Sequence, residues 1–267
     1  MTEQKGSTPV LFECRDVHYS YQGRFPALNS IDLTITEGER VALVGANGSG
    51  KSTFLHLLDA LIFPDRGTLT YMGKELTEKS FLDAEFSLRF RRKIGLIFQN
   101  PDVQLFCPTV REDIAFGPLQ LGIEEKTVKA RLELFAETLQ ISQLLDRSPH
   151  QLSIGEKRKV AFATILAIEP DVLLLDEPTA GLDPKTSTRL IEMLAEAAHS
   201  GKTIVTATHD LHIIEDIADR VYVFGQDKRL AGAGTPAEIL GNTELLQANN
   251  LIHIHPHHAR DHKVMKT

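Results

Sequence analysis

Gly45-Ala46-Asn47-Gly48-Ser49-Gly50-Lys51-Ser52 has the spacing of a phosphate-binding loop, and Val172-Leu173-Leu174-Leu175-Asp176-Glu177 ends an apolar run in two adjacent carboxylates. The glycines let main-chain N–H groups close around phosphate oxygens, the start of the following helix adds a favourable dipole, and Lys51 brings a point charge to the β and γ positions. Ser52 is the expected Mg²⁺ ligand. Two acids at the exit of a buried strand are costly unless used, and they suit a divided task. Asp176 would complete the Mg²⁺ shell, while Glu177 would polarise the attacking water. The plainer alternatives are a chance glycine-rich turn and two acids that cap the next turn.

These groups need elements that place them. Val41-Ala42-Leu43-Val44 reads as a buried strand leading into the glycine loop, and Phe54, Leu55, Leu57, Leu58 and Leu61 give the helix that follows. Upstream, Val10 to Thr36 is short and alternating, with Ile31, Leu33 and Ile35 on one side, which predicts antiparallel strands. Pro64-Asp65-Arg66-Gly67 closes the first helix region, and Ile94 to Phe98 is a further apolar run. In the middle of the chain Val128, Leu132, Phe135 and Leu139 recur at helical spacing, and the whole stretch reads as helical. After Ser148-Pro149 the pattern alternates: a helix from about Gly155, strand Val172 to Leu175, helix Pro184 to Ala198, strand Ile204 to Ala207, helix Leu211 to Ala218, strand Val221 to Phe224. Apolar strands separated by helices predict an α/β fold with a mostly parallel sheet. Asp183-Pro184 and Thr235-Pro236 are helix starts.

The 267 residues, 42% of them hydrophobic, are enough for one large core or two modest lobes. A net charge of -7 argues against a general nucleic-acid or membrane-surface binder, so no nucleic-acid partner is expected. Two cysteines, Cys14 and Cys107, give no disulfide framework and fit a reducing compartment. The N-terminus has no apolar segment of signal type, and no stretch approaches the roughly 18 apolar residues of a span. Any membrane role is therefore expected to come through a partner.

About twenty residues before the acid pair, Leu152-Ser153-Ile154-Gly155-Glu156 resembles the LSGGQ signature of ATP-binding-cassette ATPases. The likeness continues through Tyr21, Gln99, Ala180-Gly181-Leu182-Asp183 and His209, in the family's order. It implies a P-loop cassette over residues 10–250, with a mostly parallel core, an antiparallel β subdomain and a helical lobe inserted at about 101–160. It also implies ATP and Mg²⁺ as cofactors and two cassettes facing head to tail. ATP would then lie on Tyr21, which stacks the adenine, and on the loop from Gly45 through Asn47, Gly48, Ser49, Gly50, Lys51 and Ser52 to Thr53. The second copy would supply Ser153, Gly155 and Glu156. Gln99 is implied as a sensor of Mg²⁺ and water, His209 as a γ-phosphate contact, and Asp183 as an inter-subunit residue. Tyr19 competes with Tyr21 for the base, because only one of them can face it. The signature departs from pattern at Ile154, which adds a Cβ near phosphate, and at Glu156, which brings negative charge.

Gln99-Asn100-Pro101-Asp102-Val103-Gln104-Leu105-Phe106 and Asp113-Ile114-Ala115-Phe116-Gly117-Pro118 resemble the energy-coupling-factor (ECF) group of micronutrient importers. There, this region forms a groove for a coupling helix of the transmembrane subunit, which points to Gln104, Phe106 and Phe116; the alternative is that the rings pack the lobe. The resemblance implies an ATPase at the cytoplasmic face of the cell membrane. Its partners would be a second ATPase subunit, a homodimer being self-sufficient, together with a transmembrane coupling subunit and a substrate-binding membrane subunit. Cobalt or nickel is the first expectation for the solute and vitamins the second. A soluble cassette acting on nucleic acid usually carries two cassettes or a coiled-coil insertion, and a P-loop kinase would lack the signature. Residues 251–267 are rich in histidine, including His253, His255, His257, His258 and His262. They form either a Ni²⁺ or Co²⁺ binding tail or a solvated terminus.

Overall fold

A computed structural model describes residues 8–252. Strands β1 (Val10–Tyr21) and β2 (Phe25–Thr36) form an antiparallel hairpin whose turn holds Gln22 and Gly23 at left-handed φ. The expected alternation is met, with Ile31, Leu33 and Ile35 all buried. β3 (Arg40–Val44) leads into α1 (Lys51–Leu58). β4 (Arg66–Tyr71) pairs with the free edge of β1, and β5 (Lys74–Glu75) with β4, giving a four-stranded sheet in the order β2-β1-β4-β5.

β4 and the helix α2 (Ala84–Lys93) have no counterpart in the sequence reading. β4 buries only Leu69 and Tyr71 among polar residues. α2 buries Phe86 and Phe90, one turn apart in a mainly charged segment, and starts where the Asp83 carboxylate accepts from the N–H groups of Glu85 and Phe86. Both elements carry too few apolar residues for a period to show, and both are fixed by packing against the sheet instead.

The second sheet has the order β10-β9-β3-β8-β7-β6, from β6 (Ile94–Ile97), β7 (Val172–Asp176), β8 (Thr203–Thr208), β9 (Arg220–Phe224) and β10 (Leu230–Gly234). All its pairings are parallel except β10 against β9. α6 (Pro184–His199) starts on an Asp183 cap, as expected. The expected helix at 211–218 is instead a 3₁₀ turn, Leu211–Ile213, followed by the single turn α7 (Ile214–Ile217). α8 (Pro236–Gly241) begins at a Thr235–Glu238 capping box, and α9 (Thr243–Ala248) ends the described helices.

Between β6 and β7 the chain is helical throughout: α3 (Val110–Gln120), α4 (Glu125–Thr138), α5 (Ile154–Leu166) and short 3₁₀ turns. One apolar cluster lies between the two sheets around Phe12, Phe54, Phe90 and Phe224. A second joins this helical segment to the parallel sheet through Val160, Leu173 and Leu190, and a third packs α7, α8 and α9 on β3 and β9. Each fully buried Leu or Phe contributes about 1.5–3 kcal/mol, so the helical segment is anchored through this shared core. Among the described residues no helix is long and apolar enough to cross a membrane.

Candidate active site

The loops that follow β3, β6, β7 and β8 all leave the parallel sheet at its carboxyl edge, where open α/β sheets place ligands. Register brings them together: Asp176 pairs with Ala207, and Val44 with Thr208. The phosphate loop, the acid pair and His209 therefore start from adjacent strand ends.

Two glycines of the loop are demanded by close backbone approach. A Cβ on Gly50, at φ 112, would lie 2.4 Å from the Ala27 carbonyl, and one on Gly45 would lie 2.6 Å from that of Phe224. Lys51 is buried, and its ammonium donates to the carbonyl of Gly45 at 2.7 Å and of Ala46 at 3.3 Å. Burial draws its pKa below the ordinary lysine value, opposed by Glu177 and Asp176. The cation is thus held in the loop, ready to exchange carbonyls for phosphate oxygens.

Asp176 is buried, and burial pushes its carboxyl above the usual range while the Ser52 hydroxyl pulls it back. Its Oδ1 has no hydrogen-bond partner. An orphaned carboxylate oxygen beside a serine hydroxyl is a hard-oxygen donor set of the kind Mg²⁺ takes. Ser52, Asp176 and Gln99 are the residues that would hold the ion, which would supply charge neutralisation between the phosphates. Gln99 lines the same cleft as Ser52, as expected.

Glu177 is buried and sits at φ 49, a left-handed position for a side chain with a Cβ. The surrounding bonds hold it there. Its N–H donates to the Ala207 carbonyl at 2.9 Å, its Oε1 lies 2.8 Å from His209 Nδ1, and its Oε2 accepts from the Thr208 hydroxyl at 3.3 Å. Arg158, on α5, adds a clamp that the sequence did not disclose: its guanidinium donates to the carbonyl of Glu177 at 2.9 Å and to that of Gln99 at 3.1 Å. In the basic run Lys157-Arg158-Lys159 nothing marks the middle residue.

Of the two tyrosines, Tyr21 lines the nucleotide cleft, with its hydroxyl 3.1 Å from the Thr53 Oγ1, while Tyr19 packs against the core. The cleft has a volume of about 400 Å³ and holds Asn47, Gly48, Ser49, Gly50, Lys51, Ser52 and Thr53 together with Gln99 and Glu177. A second residue missed in the sequence is Lys228, whose ammonium reaches the Gly48 carbonyl from the β9–β10 turn. It belongs to an ordinary polar turn, and only the fold carries it to the loop.

Ser153, Gly155 and Glu156 lie outside this cleft. Ser153 caps α5, and Glu156 completes a capping box: its Oε2 accepts from the Ser153 N–H at 2.8 Å and from the Ser153 hydroxyl at 2.7 Å. Those bonds, the hydroxyl's first, hold the Glu156 carboxyl below its usual pKa. In the single chain Glu156 therefore has this local role. Gly155 faces open space and Ile154 is 52% exposed, so the Cβ at Ile154 meets solvent in the single chain.

On the helical segment Phe106 and Phe116 are exposed, at 64% and 42%, and their rings meet edge to face at 4.9 Å. Gln104, expected beside them in a partner groove, is instead an internal strut. Its amide donates to the Ala161 carbonyl at 2.8 Å and the Thr164 hydroxyl at 2.7 Å, and its carbonyl accepts from the Phe98 N–H. The five tail histidines lie outside the described residues.

A cleft at the strand ends holds a phosphate loop and Glu177, with Asp176 beside Ser52 and His209 bonded to the Glu177 carboxylate, and this arrangement defines a P-loop nucleoside triphosphatase. The ABC transporter family model matches residues 28–180, more than half of the chain, and the chain belongs to that family as an ATP-binding ATPase subunit. It is 46% identical over 248 residues to the nickel import ATP-binding protein NikO of Rhodobacter capsulatus, covering 92% of this chain and 96% of the relative. It is 43% identical over 242 residues to an energy-coupling factor transporter ATP-binding protein, EcfA, of Methanothermobacter thermautotrophicus, covering 90% and 76%. These relatives bear out the likeness to the ECF type read from the sequence.

Among solved structures, CbiO1 of Clostridium perfringens, part of the ABC transporter complex CbiONQ, superposes with a TM-score of 0.74 at 33% identity, covering 91% of this chain and 95% of that one. The cassette MJ0796, a dimer in a post-hydrolysis state with ADP and phosphate, gives 0.76 at 26%, covering 85% and 99%.

Proposed function

We propose that this ATPase energises an importer of the energy-coupling-factor type that carries nickel or cobalt ions, acting as a homodimer bound to membrane partners at the cytoplasmic face. The observation that carries the docking reading is the exposed Phe106–Phe116 pair. Two aromatic rings left in solvent edge to face, with Val103 and Leu119 also exposed near them in the chain, are an anchor for a partner rather than core. The nickel import relative supports a transition-metal cargo, and CbiO1 supports assembly with membrane subunits.

The dimer reading rests on the separation of the signature from the nucleotide cleft. The Gly155 N–H at the start of α5 would meet the γ-phosphate held by a second copy, joined by the Ser153 hydroxyl once it leaves Glu156, with Asp183 near the junction. The dimeric cassette MJ0796 supports this arrangement. Within one site Lys51 binds the phosphates and Glu177 accepts a proton from the attacking water, while His209 fixes the Glu177 carboxylate and reaches the γ-phosphate. The tail would gather the cargo metal through its imidazoles.

Transport by the complete complex, with labelled Ni²⁺, Co²⁺ and vitamins in competition, tests the cargo. ATP-dependent Ni²⁺ or Co²⁺ uptake that vitamins leave unchanged is the expected result, and vitamin uptake without metal uptake overturns it.

A further inference from the structure

Between the helical segment and the core, away from the nucleotide cleft, lies a cavity of about 220 Å³. One wall is the end of α4 and the face of α5 that carries Lys159 and, one turn on, Phe162; the other is α6. On α6 the lining residues Lys185, Arg189 and Met193 follow at four-residue intervals, so they form one stripe along the helix. Leu139, Leu182 and Leu190 complete the apolar lining.

Charge in this cavity is one-sided. Lys159, Lys185 and Arg189 make no hydrogen bond or ion pair through their side chains among the described residues, although neighbouring cations are paired, as Lys157 is with Asp102. The carboxylate that shares the lining, Asp183, is turned to the N–H and hydroxyl of Thr186, at 3.0 and 2.6 Å. Glu156, one turn before Lys159, is taken by Ser153. Like charges four residues apart on α6 repel, and an anion between the two helices would relieve that repulsion.

We propose that this cavity is a binding site for a small, freely dissolved amphipathic anion, with a compact apolar body against Phe162, Leu190 and Met193 and an anionic head between Lys159, Lys185 and Arg189. The occupant joins α5, which begins at Ser153, to α6, which begins at Asp183. The inference goes beyond the transport reading and does not depend on it, because it concerns residues that no step of ATP hydrolysis uses.

The test is calorimetric titration of the full chain with monomeric octyl phosphate, set against octanol and inorganic phosphate. One site per chain is expected, binding octyl phosphate about tenfold or more tighter than either control. Arg189→Glu, which reverses the head-group charge, and Met193→Trp, which fills the apolar wall, should each weaken binding at least about tenfold, with thermal unfolding of Arg189→Glu confirming an intact fold. Octanol or inorganic phosphate binding as tightly as octyl phosphate overturns the proposal, as does unaltered affinity in a folded Arg189→Glu chain or no binding at all.

Discussion

The Nδ1 of His209 lies 2.8 Å from Glu177 Oε1, so the carboxylate accepts from the imidazole and is held in place at the wall of the cleft. His209→Ala should leave ATP affinity within a factor of about three and slow hydrolysis by about two orders of magnitude, the scale of a lost acid–base partner. Single-turnover hydrolysis beside equilibrium nucleotide binding checks this, and equal losses in both would remove the positioning role.

Lys51 and Glu177 should fail in different ways. Lys51→Ala removes the cation now held by Gly45 and Ala46, and it is expected to abolish most nucleotide affinity. Glu177→Gln keeps the shape of the site, so ATP binds while hydrolysis stalls. Sedimentation of Glu177→Gln with saturating Mg-ATP should then show a dimer. A persistent monomer speaks against a nucleotide shared between two copies.

Lys228 bonds the Gly48 carbonyl at the tip of the loop. Its loss should loosen the cradle and raise the KM for ATP by about three- to tenfold with little change in kcat, and Lys228→Arg should recover most of it. A fall in kcat at unchanged KM would assign the residue to chemistry instead.

Asp59, at the end of α1, is buried, and burial pushes its carboxyl up to about 7, against the pull of Arg91. The folded chain therefore holds a proton that the unfolded chain releases near pH 4, so stability falls as pH rises from about 4 to 7. The shift is worth on the order of 4 kcal/mol as an upper figure. Asp59→Asn should flatten that part of the profile and be the more stable chain at pH 8 relative to its own value at pH 4. Urea unfolding across this range measures it, and parallel profiles for the two chains would refute the assignment.

Phe106→Ala and Phe116→Ala should leave the ATPase of the isolated chain within about twofold, since both rings are already exposed. In the complete transporter they should lower transport per ATP hydrolysed. A comparable loss in the isolated chain would place the rings in the core.

The parallel sheet, the phosphate loop and the acid pair were legible because each is written in contiguous residues: a β3 run ending at Gly45, and a β7 run ending at Asp176. Arg158, Lys228 and the strut made by Gln104 were not legible. Apart from Phe98, six residues from Gln104, their partners stand in other loops or helices, from 19 to 180 residues away, and only the folded topology sets those pairs side by side. α2 escaped for a related reason, since its two buried rings find their neighbours, Tyr71 and Phe81, outside the helix.

The capping box at Ser153 has a consequence for the pairing of two copies. The serine hydroxyl already gives its hydrogen to Glu156, so that carboxylate and an arriving phosphate are rivals for one donor. The entrance to α5 is occupied by a negative group before any nucleotide comes near, and its charge is exchanged rather than added when the copies meet. In the lone chain the glutamate stands in for the phosphate, keeping the donor aligned and the helix end satisfied. In the proposed pairing, a phosphate bond to the Ser153 hydroxyl would be formed only by releasing this local one, which favours a contact that opens as readily as it closes.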